Sequence, residues 1–536
     1  MRKMKELKIE ELSVKQKIGM TMVGFLTLGG LKCDDFDYDE ELEYVLEMIR
    51  NHSLGAVWIR LGMPDFEKTM KLVKETADYP ILIMTDAENG IGEYSIGRHN
   101  AIGCAGSEEL AYAFGKVVGV KARELGYNVV CNPVLDMTKG EGICGHNVRS
   151  MGGDKFEVTR LAKAEAQGMH DGGVLTVGKH YPSPQSKGFI DSHMAESGSE
   201  DTVEDLLDYS LYPYMELMKE NLLDGIMTSH CRLPNIDPDF PASLSKKVIG
   251  IIREQGFDGF AVTDALEMMG IKAKFGATTS KGLAIANGND LALVWERNEF
   301  SFNAMWETYN RGLIPDDRLD EAVRRVLEAQ HKTTLLPTHE VVTEEDKDKV
   351  SRINKDSVYA RTDEGLSATI SRDGKHLFVV MVPNGTELND QGKVNVATFA
   401  NAWYKPDQMM NRLEELFPNS GVRMIDQFPT PSQNCHLFSA AMKYDDVVWI
   451  TFMDSLAYVG REKFTHRTTS VIEAMQITDM VSAIVHFGTP YALEDLPHIP
   501  RMIIGGLSSE SVATSIEVLA GNYPAKGVLT YDVDFK

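Results

Sequence analysis

Short, nearly unbroken apolar runs recur through the first part of the chain, most of them ending at a polar residue. They are GAVWIR from Gly55, PILIMTD from Pro80, YNVVCNP from Tyr127, GGVLTVGKH from Gly172, DGIMTSH from Asp224, FDGFAVTD from Phe257 and NDLALV from Asn289. A strand with one wet face alternates apolar and polar residues. These runs are apolar on both sides, as a parallel sheet covered on both faces requires. Amphipathic helices separate them, among them SEELAYAFGKVVGVKARELG, SEDTVEDLLDYSLYPYMELMKEN and SLSKKVIGIIREQG, with Ser at the expected N-caps and Gly near the ends. Alternating β and α elements leave a barrel or a doubly wound sheet. About seven or eight βα units within roughly 330 residues match a (β/α)8 TIM-type barrel with insertions.

A barrel gives the polar strand ends a destination. Asp86, Asn132, Lys179 with His180, His230 and Asp264 all terminate strands, and in a barrel such residues converge on the C-terminal rim, where active sites sit. Any one of them alone is as readily a cap or a loop residue. Their recurrence at successive strand ends argues for a site.

After the helical DDRLDEAVRRVLEAQHK, the segment TTLLPTHEVVTEEDKDK loses strand periodicity and gains Pro, Thr and charge. We therefore expect a barrel domain over 1–335, a connector over 336–370 and a smaller α/β sandwich domain over 371–536. The last has its own buried-strand runs, HLFVVMVP, DDVVWITFM, VSAIVHFG and PRMIIGG.

Composition excludes several functions. A net charge of −24 with no basic block would repel a phosphate backbone, which argues against a nucleic-acid partner. The N-terminal MRKMKELKIEELSVKQK lacks the apolar core of a signal peptide, and no apolar run approaches the roughly 20 residues of a membrane helix, so the expectation is a cytoplasmic protein with no membrane partner. Six cysteines are scattered without a CxxC pair or metal-ligand rhythm. Without a P-loop or dinucleotide fingerprint, neither a cofactor nor a metal is expected.

Chemistry concentrates in KHYPSPQSKGFIDSHMAE, beginning at Lys179. Asp191 stands two residues before His193, close enough for its carboxylate to reach the imidazole and fix tautomer and orientation, which makes His193 a candidate acid/base. The tripeptide Asp191-Ser192-His193 is also ordinary loop composition. In VTDALEMMGI, an apolar strand delivers Asp264 to the rim, as a nucleophile or as a cap of the helix that follows.

The order and wording of the motifs resemble glycoside hydrolase family 3, and most closely its β-N-acetylglucosaminidase branch. The resemblance runs through LSVKQKIGMTMVGF, PILIMTDAENG, NPVLDM, NVRSMGG, the KH…DSH loop, IMTSHCRLPNIDPDFPASLS, GFDGFAVTDALEMMGI, VHFGTPYALEDL and LAGNYPAKGVLTYDV, covering nearly the whole chain. It implies a retaining mechanism in which Asp264 attacks the anomeric carbon of a small saccharide and His193, oriented by Asp191, serves as acid and then base. It further implies that Asp86, Arg149, Lys179 and His180 hold the sugar hydroxyls. An imidazole that is neutral as a base also tolerates an anionic acceptor, so the same resemblance covers a phosphorylase as well as a hydrolase, and a β-glucosidase of the same family. A sugar-binding protein without turnover is the reading from a different class.

Two segments depart from the family wording. The usual K-H-F-P-G-H-G reads KHYPSPQSKG, without its glycines and middle histidine, and D-x-E-G-G reads DAENG, leaving Tyr94 or Arg98 to cover that edge of the sugar. His230 reads as a rim or core histidine. Glu462 in VGREKF reads as a solvated charge and, less favoured, as an acid/base from the second domain.

Overall fold

The computed structural model describes residues 4–27, 32–33, 36–138, 147–184, 191–382, 386–388, 394–396, 406–453 and 463–536. The chain forms two compact units. One comprises Met1–Tyr94, Ala111–Met137 and Asp154–Lys347, the other Ser95–Leu110, Thr138–Gly153 and Asp348–Lys536.

In the first unit the strands of the main sheet, in chain order, are β1 (Met22–Leu26), β2 (Ala56–Ile59), β3 (Leu82–Thr85), β4 (Val129–Val130), β5 (Leu175–Tyr181), β6 (Gly225–Thr228), β7 (Phe260–Thr263) and β8 (Ala292–Leu293). They pair in parallel in the order β7-β6-β5-β4-β3-β2-β1-β8. The two ends of this sheet meet. Val262 bridges Leu291 in parallel, with the Leu291 N–H donating to Ala261 O at 3.0 Å and the Thr263 N–H to Leu291 O at 3.1 Å. The result is the expected (β/α)8 barrel. Strands β2, β3, β6 and β7 are buried at every residue, which is why they read as unbroken apolar runs. Strand β1 was absent from the expected set because MVGFL follows directly on the helix Val14–Met20, so that the apolar residues of both run together.

At the N-terminal ends of the strands, acidic residues close the barrel. Asp290, just before β8 and fully buried, accepts from Arg253 Nη2 at 2.7 Å, Arg318 Nη2 at 2.6 Å and the Ala261 N–H at 2.9 Å. Asp224, just before β6, accepts from His170 Nε2 at 2.7 Å and the Thr176 N–H at 3.1 Å.

The second unit holds β9 (Tyr359–Thr362), β10 (His376–Val382), β11 (Gly421–Asp426), β12 (Asp446–Met453), β13 (Val481–Gly488) and β14 (Arg501–Gly505), in the sheet order β9-β14-β13-β12-β10-β11. All neighbours are parallel except β9 and β14. Alternate residues feed opposite cores. Phe378, Val380, Val448 and Ile450 pack with the helices Pro406–Leu416 and Ser509–Leu519. Leu377, Val379, Val447 and Trp449 pack with Pro431–Ala441 and His466–Gln476. This is the expected α/β sandwich. Its edge strands β9 and β11 were not anticipated, because an edge strand is only partly covered and carries no continuous apolar run.

The domain limits differ from the sequence expectation. The connector proposed for 336–370 contains the helix Glu344–Asp356 and β9, and the change of unit falls inside that helix, between Lys347 and Asp348. The chain also enters the second unit twice earlier. Described residues of both excursions pack tightly within that unit. Cys104 packs with Tyr491 and Tyr531, and Gly103 lies so close to Met151 that a Cβ would stand 1.8 Å from its carbonyl oxygen. Among the described residues, no helix is long and apolar enough to cross a membrane.

Candidate active site

Asp264 is the first residue beyond β7. Its N–H donates to Thr228 O at 2.9 Å, extending the pairing with β6 by one step, and its Oδ1 accepts from the Ala265 N–H at 2.8 Å. Its Oδ2 stands 4.0 Å from His180 Nε2, and the side chain is 17% exposed. Burial alone would raise its pKa. The charges of His180, His230 and His193, with the Ala265 N–H, more than offset that and lower it to about 2. A carboxylate so held is ionised at neutral pH and can act as a nucleophile.

His180 lies where the register of β5 against β6 shifts, between the paired Lys179 and Tyr181, and its ring is placed by Asp136. The Asp136 carboxylate accepts from His180 Nδ1 at 2.7 Å, from the His180 N–H at 3.1 Å and from Ser183 Oγ at 2.9 Å. A carboxylate only accepts, so Nδ1 carries the proton and Nε2 is the atom turned toward Asp264. Lys179, the preceding residue, is wholly buried. Its ammonium bonds Asp86 and lies 2.5 Å from Glu88 Oε1. Asp86 is half exposed, so this ion pair links the buried wall to the open rim.

His193 and Asp191 form the dyad anticipated from their spacing. Asp191 Oδ1 accepts from His193 Nδ1 at 2.7 Å and from the His193 N–H at 2.9 Å. The loop that carries them is latched to the start of the helix Met269–Phe275, which follows Asp264. The Met269 N–H donates to His193 O at 3.1 Å and the Gly270 N–H to Ser192 O at 3.2 Å. Only glycine permits that approach, since a Cβ at 270 would stand 2.5 Å from Ser192 O. The acid/base candidate and the nucleophile candidate thus hang on one short segment.

Six of the anticipated residues, Asp86, Lys179, His180, Asp191, His193 and Asp264, lie in the barrel unit. Arg149 belongs to the second unit, on the turn Asn147–Arg149, where its carbonyl bonds His99 Nδ1 at 3.0 Å. Of the two residues suggested for the DAENG edge, Tyr94 is buried with the Lys121 ammonium 5.5 Å from its ring, and Arg98 belongs to the second unit. His230 is buried, with both ring nitrogens engaged, by Ser243 Oγ at 2.7 Å and Ala265 O at 2.8 Å, and burial holds its pKa below the usual value. Asn132 is tied to Glu165 at 3.0 Å. Glu462 and the loop residues 185–190 lie outside the described residues.

Sequence reasoning missed Glu88, Asp136 and Ser183. Asp136 stood inside the quoted NPVLDM, and Glu88 inside DAENG, each a few residues beyond a strand end. That shared position was the signal available. Among the described residues, no group of three or more His, Cys, Asp or Glu gathers as a metal would need.

The glycosyl hydrolase family 3 N terminal domain matches residues 6–329. Over 533 residues the chain is 24% identical to a beta-N-acetylglucosaminidase/beta-glucosidase of Cellulomonas fimi, spanning 93% of this chain and 92% of that protein. It is 32% identical over 219 residues to the beta-hexosaminidase LpqI of Mycobacterium tuberculosis, covering 39% of this chain and 55% of that one. In fold it is similar to a glycoside hydrolase family 3 beta-N-acetylglucosaminidase from Paenibacillus sp. str. FPU-7, at TM-score 0.78 and 24% identity over 98% of this chain and 100% of that one. It is also similar to the beta-glucoside phosphorylase BglX, at TM-score 0.81 and 22% identity over 98% and 95%. With more than half its length matched by the family's N terminal domain and a rim built around Asp264, the chain belongs to glycosyl hydrolase family 3.

Proposed function

We propose that the protein is a retaining, exo-acting β-glycosidase that removes β-linked N-acetylglucosamine from small saccharides. Asp264 attacks the anomeric carbon while His193 gives its proton to the leaving oxygen, so that one C–O bond forms and one breaks. Water then returns a proton to His193 and releases the sugar from Asp264. Asp191 orients His193, and Lys179, His180 and Asp86, joined by Glu88, bind sugar hydroxyls through charge-assisted hydrogen bonds. We assign Arg149 the same role, on the family resemblance alone.

The observation that carries this reading is the latch. The loop that carries the His193–Asp191 pair is bonded, through His193 O and Ser192 O, to the residues five and six positions beyond an ionised Asp264. A protein that only bound sugar would not need an oriented proton donor tied to a nucleophile. The names of the relatives support the N-acetylglucosaminide as substrate.

A second reading replaces water by phosphate. It is favoured by the imidazole at position 193, since a neutral base repels an anionic acceptor less than a second carboxylate would. A panel of nitrophenyl β-glycosides, N-acetylglucosaminide and glucoside included, assayed with and without phosphate, tests both. Release from the N-acetylglucosaminide is the expected result, with free sugar marking a hydrolase and sugar phosphate a phosphorylase. Turnover of the glucoside alone would overturn the substrate assignment, and silence across the panel would overturn the enzyme reading.

A further inference from the structure

Trp295 lies two residues beyond β8 and is 37% exposed, while the loop that carries it is tied down on both sides by hydrogen bonds and ion pairs. Its own N–H donates to Glu267 Oε2 at 2.7 Å. Next along the chain, Glu296 bonds Lys272 at 2.6 Å and Lys281 at 2.9 Å. Lys281 is fully buried and also lies 2.9 Å from Glu267. On the far side, Asn298 Nδ2 donates to Glu41 at 2.9 Å and Asn298 Oδ1 accepts from the Phe25 N–H at 2.9 Å. Phe25, near the end of β1, stacks on the Trp295 ring at 5.6 Å between centroids and 28° between planes.

Single exposed apolar side chains are normal on a protein surface and by themselves mean nothing. The mounting distinguishes this one. Burying Lys281 with two carboxylates costs desolvation that ion pairing offsets only partly, and here that cost goes into fixing a short rim loop which presents an open indole. The loop is continuous with the candidate site. The Leu266 N–H donates to Leu293 O at 3.1 Å, and the Leu293 N–H to Thr263 Oγ1 at 3.0 Å, so the residues flanking Asp264 and those leading to Trp295 share one hydrogen-bonded frame.

We infer that Trp295, backed by Phe25, is the platform of a leaving-group subsite that takes the apolar C–H face of a second pyranose ring. The inference rests on Asp264 being the point of glycosyl transfer. A flat, pre-positioned aromatic suits such a ring because its apolar face is covered without ordering a flexible side chain on binding. The subsite makes the substrate a saccharide of at least two rings, with the ring beyond the scissile bond contributing to affinity.

The test compares wild type, Trp295→Ala and Trp295→Phe on two substrates that share the transferred sugar, a β-linked disaccharide and the methyl β-glycoside. The Trp295→Ala loss in kcat/KM on the disaccharide is expected to exceed its loss on the methyl glycoside by about three- to tenfold, with Trp295→Phe restoring most of the difference. Thermal melting of each variant checks that it is folded. Equal losses on both substrates would overturn the platform while leaving the assignment of Asp264 intact. If wild type turns over neither, the functional reading fails, and the platform is judged by tryptophan fluorescence of the full chain titrated with the disaccharide. A change seen in wild type and absent in Trp295→Phe supports it, and no change in wild type overturns it.

Discussion

The two ends of the barrel use the same residue type for opposite purposes. Asp290, at the N-terminal end of β8, is fully buried and saturated, with Arg253, Arg318 and the Ala261 N–H on its two oxygens. Asp264, at the C-terminal end of β7, has one backbone donor on Oδ1 and an imidazole nitrogen 4.0 Å from Oδ2, beyond hydrogen-bond reach. A carboxylate surrounded by fitted donors holds structure in place. One flanked by imidazoles at a distance keeps its ionised form and also an oxygen with which to react. The difference lies in saturation and not in residue type.

Asp264→Asn should separate the two ends most sharply. Turnover is expected to fall on the order of 10⁴-fold in steady-state assays, with the melting temperature close to that of wild type. A variant that kept substantial kcat would remove Asp264 from the chemistry.

Asp290→Asn is expected to do the reverse, leaving the Arg253 guanidinium without its ion-pair partner and lowering stability by about 3–5 kcal/mol in urea titrations. Its kcat per folded molecule should stay near wild type. Catalysis lost without destabilisation would contradict the division of labour drawn here.

Gly270→Ala acts on the latch. A Cβ 2.5 Å from Ser192 O must push the Asp191–His193 loop away from Asp264, so kcat is expected to fall about tenfold or more, with a stability cost of about 1–3 kcal/mol. The loss should be larger on a methyl glycoside than on a nitrophenyl glycoside, whose leaving group needs less help from the acid. Equal losses would show that the loop does not position a proton donor.

The smallest effect is on the pH dependence of stability. Asp264 is lowered from its unfolded value of roughly 3.9 to about 2, so it favours the folded state above about pH 4, and that contribution fades as pH falls through the folded value. The melting-temperature difference between wild type and Asp264→Asn should therefore shift against wild type between about pH 5 and about pH 2. A difference constant with pH would mean that the carboxylate is not depressed.

Much of this was legible in the chain itself. Seven of the eight barrel strands appear as buried apolar runs because a parallel strand covered on both faces has nowhere to place a polar residue. Asp264, Lys179 and His180 were found for the complementary reason, as the polar residues at which such runs stop. The Asp191–His193 bond was legible because its partners are two residues apart. Strand β1 was hidden by the helix before it, and β9 and β11 by their place at sheet edges.

The sequence by itself determined the barrel, the sandwich and the cast of charged residues at the strand ends, because burial and local spacing are written into residue order. Only the tertiary structure decided how those residues are used. The Asp136 carboxylate meets His180 across 44 positions, Asp86 meets Lys179 across 93, and the segment after Asp264 is bonded to the loop of His193. Contacts between residues so distant in the chain depend on where the closed sheet brings its strand ends. No local pattern records that Asp290 is saturated while Asp264 is left able to react.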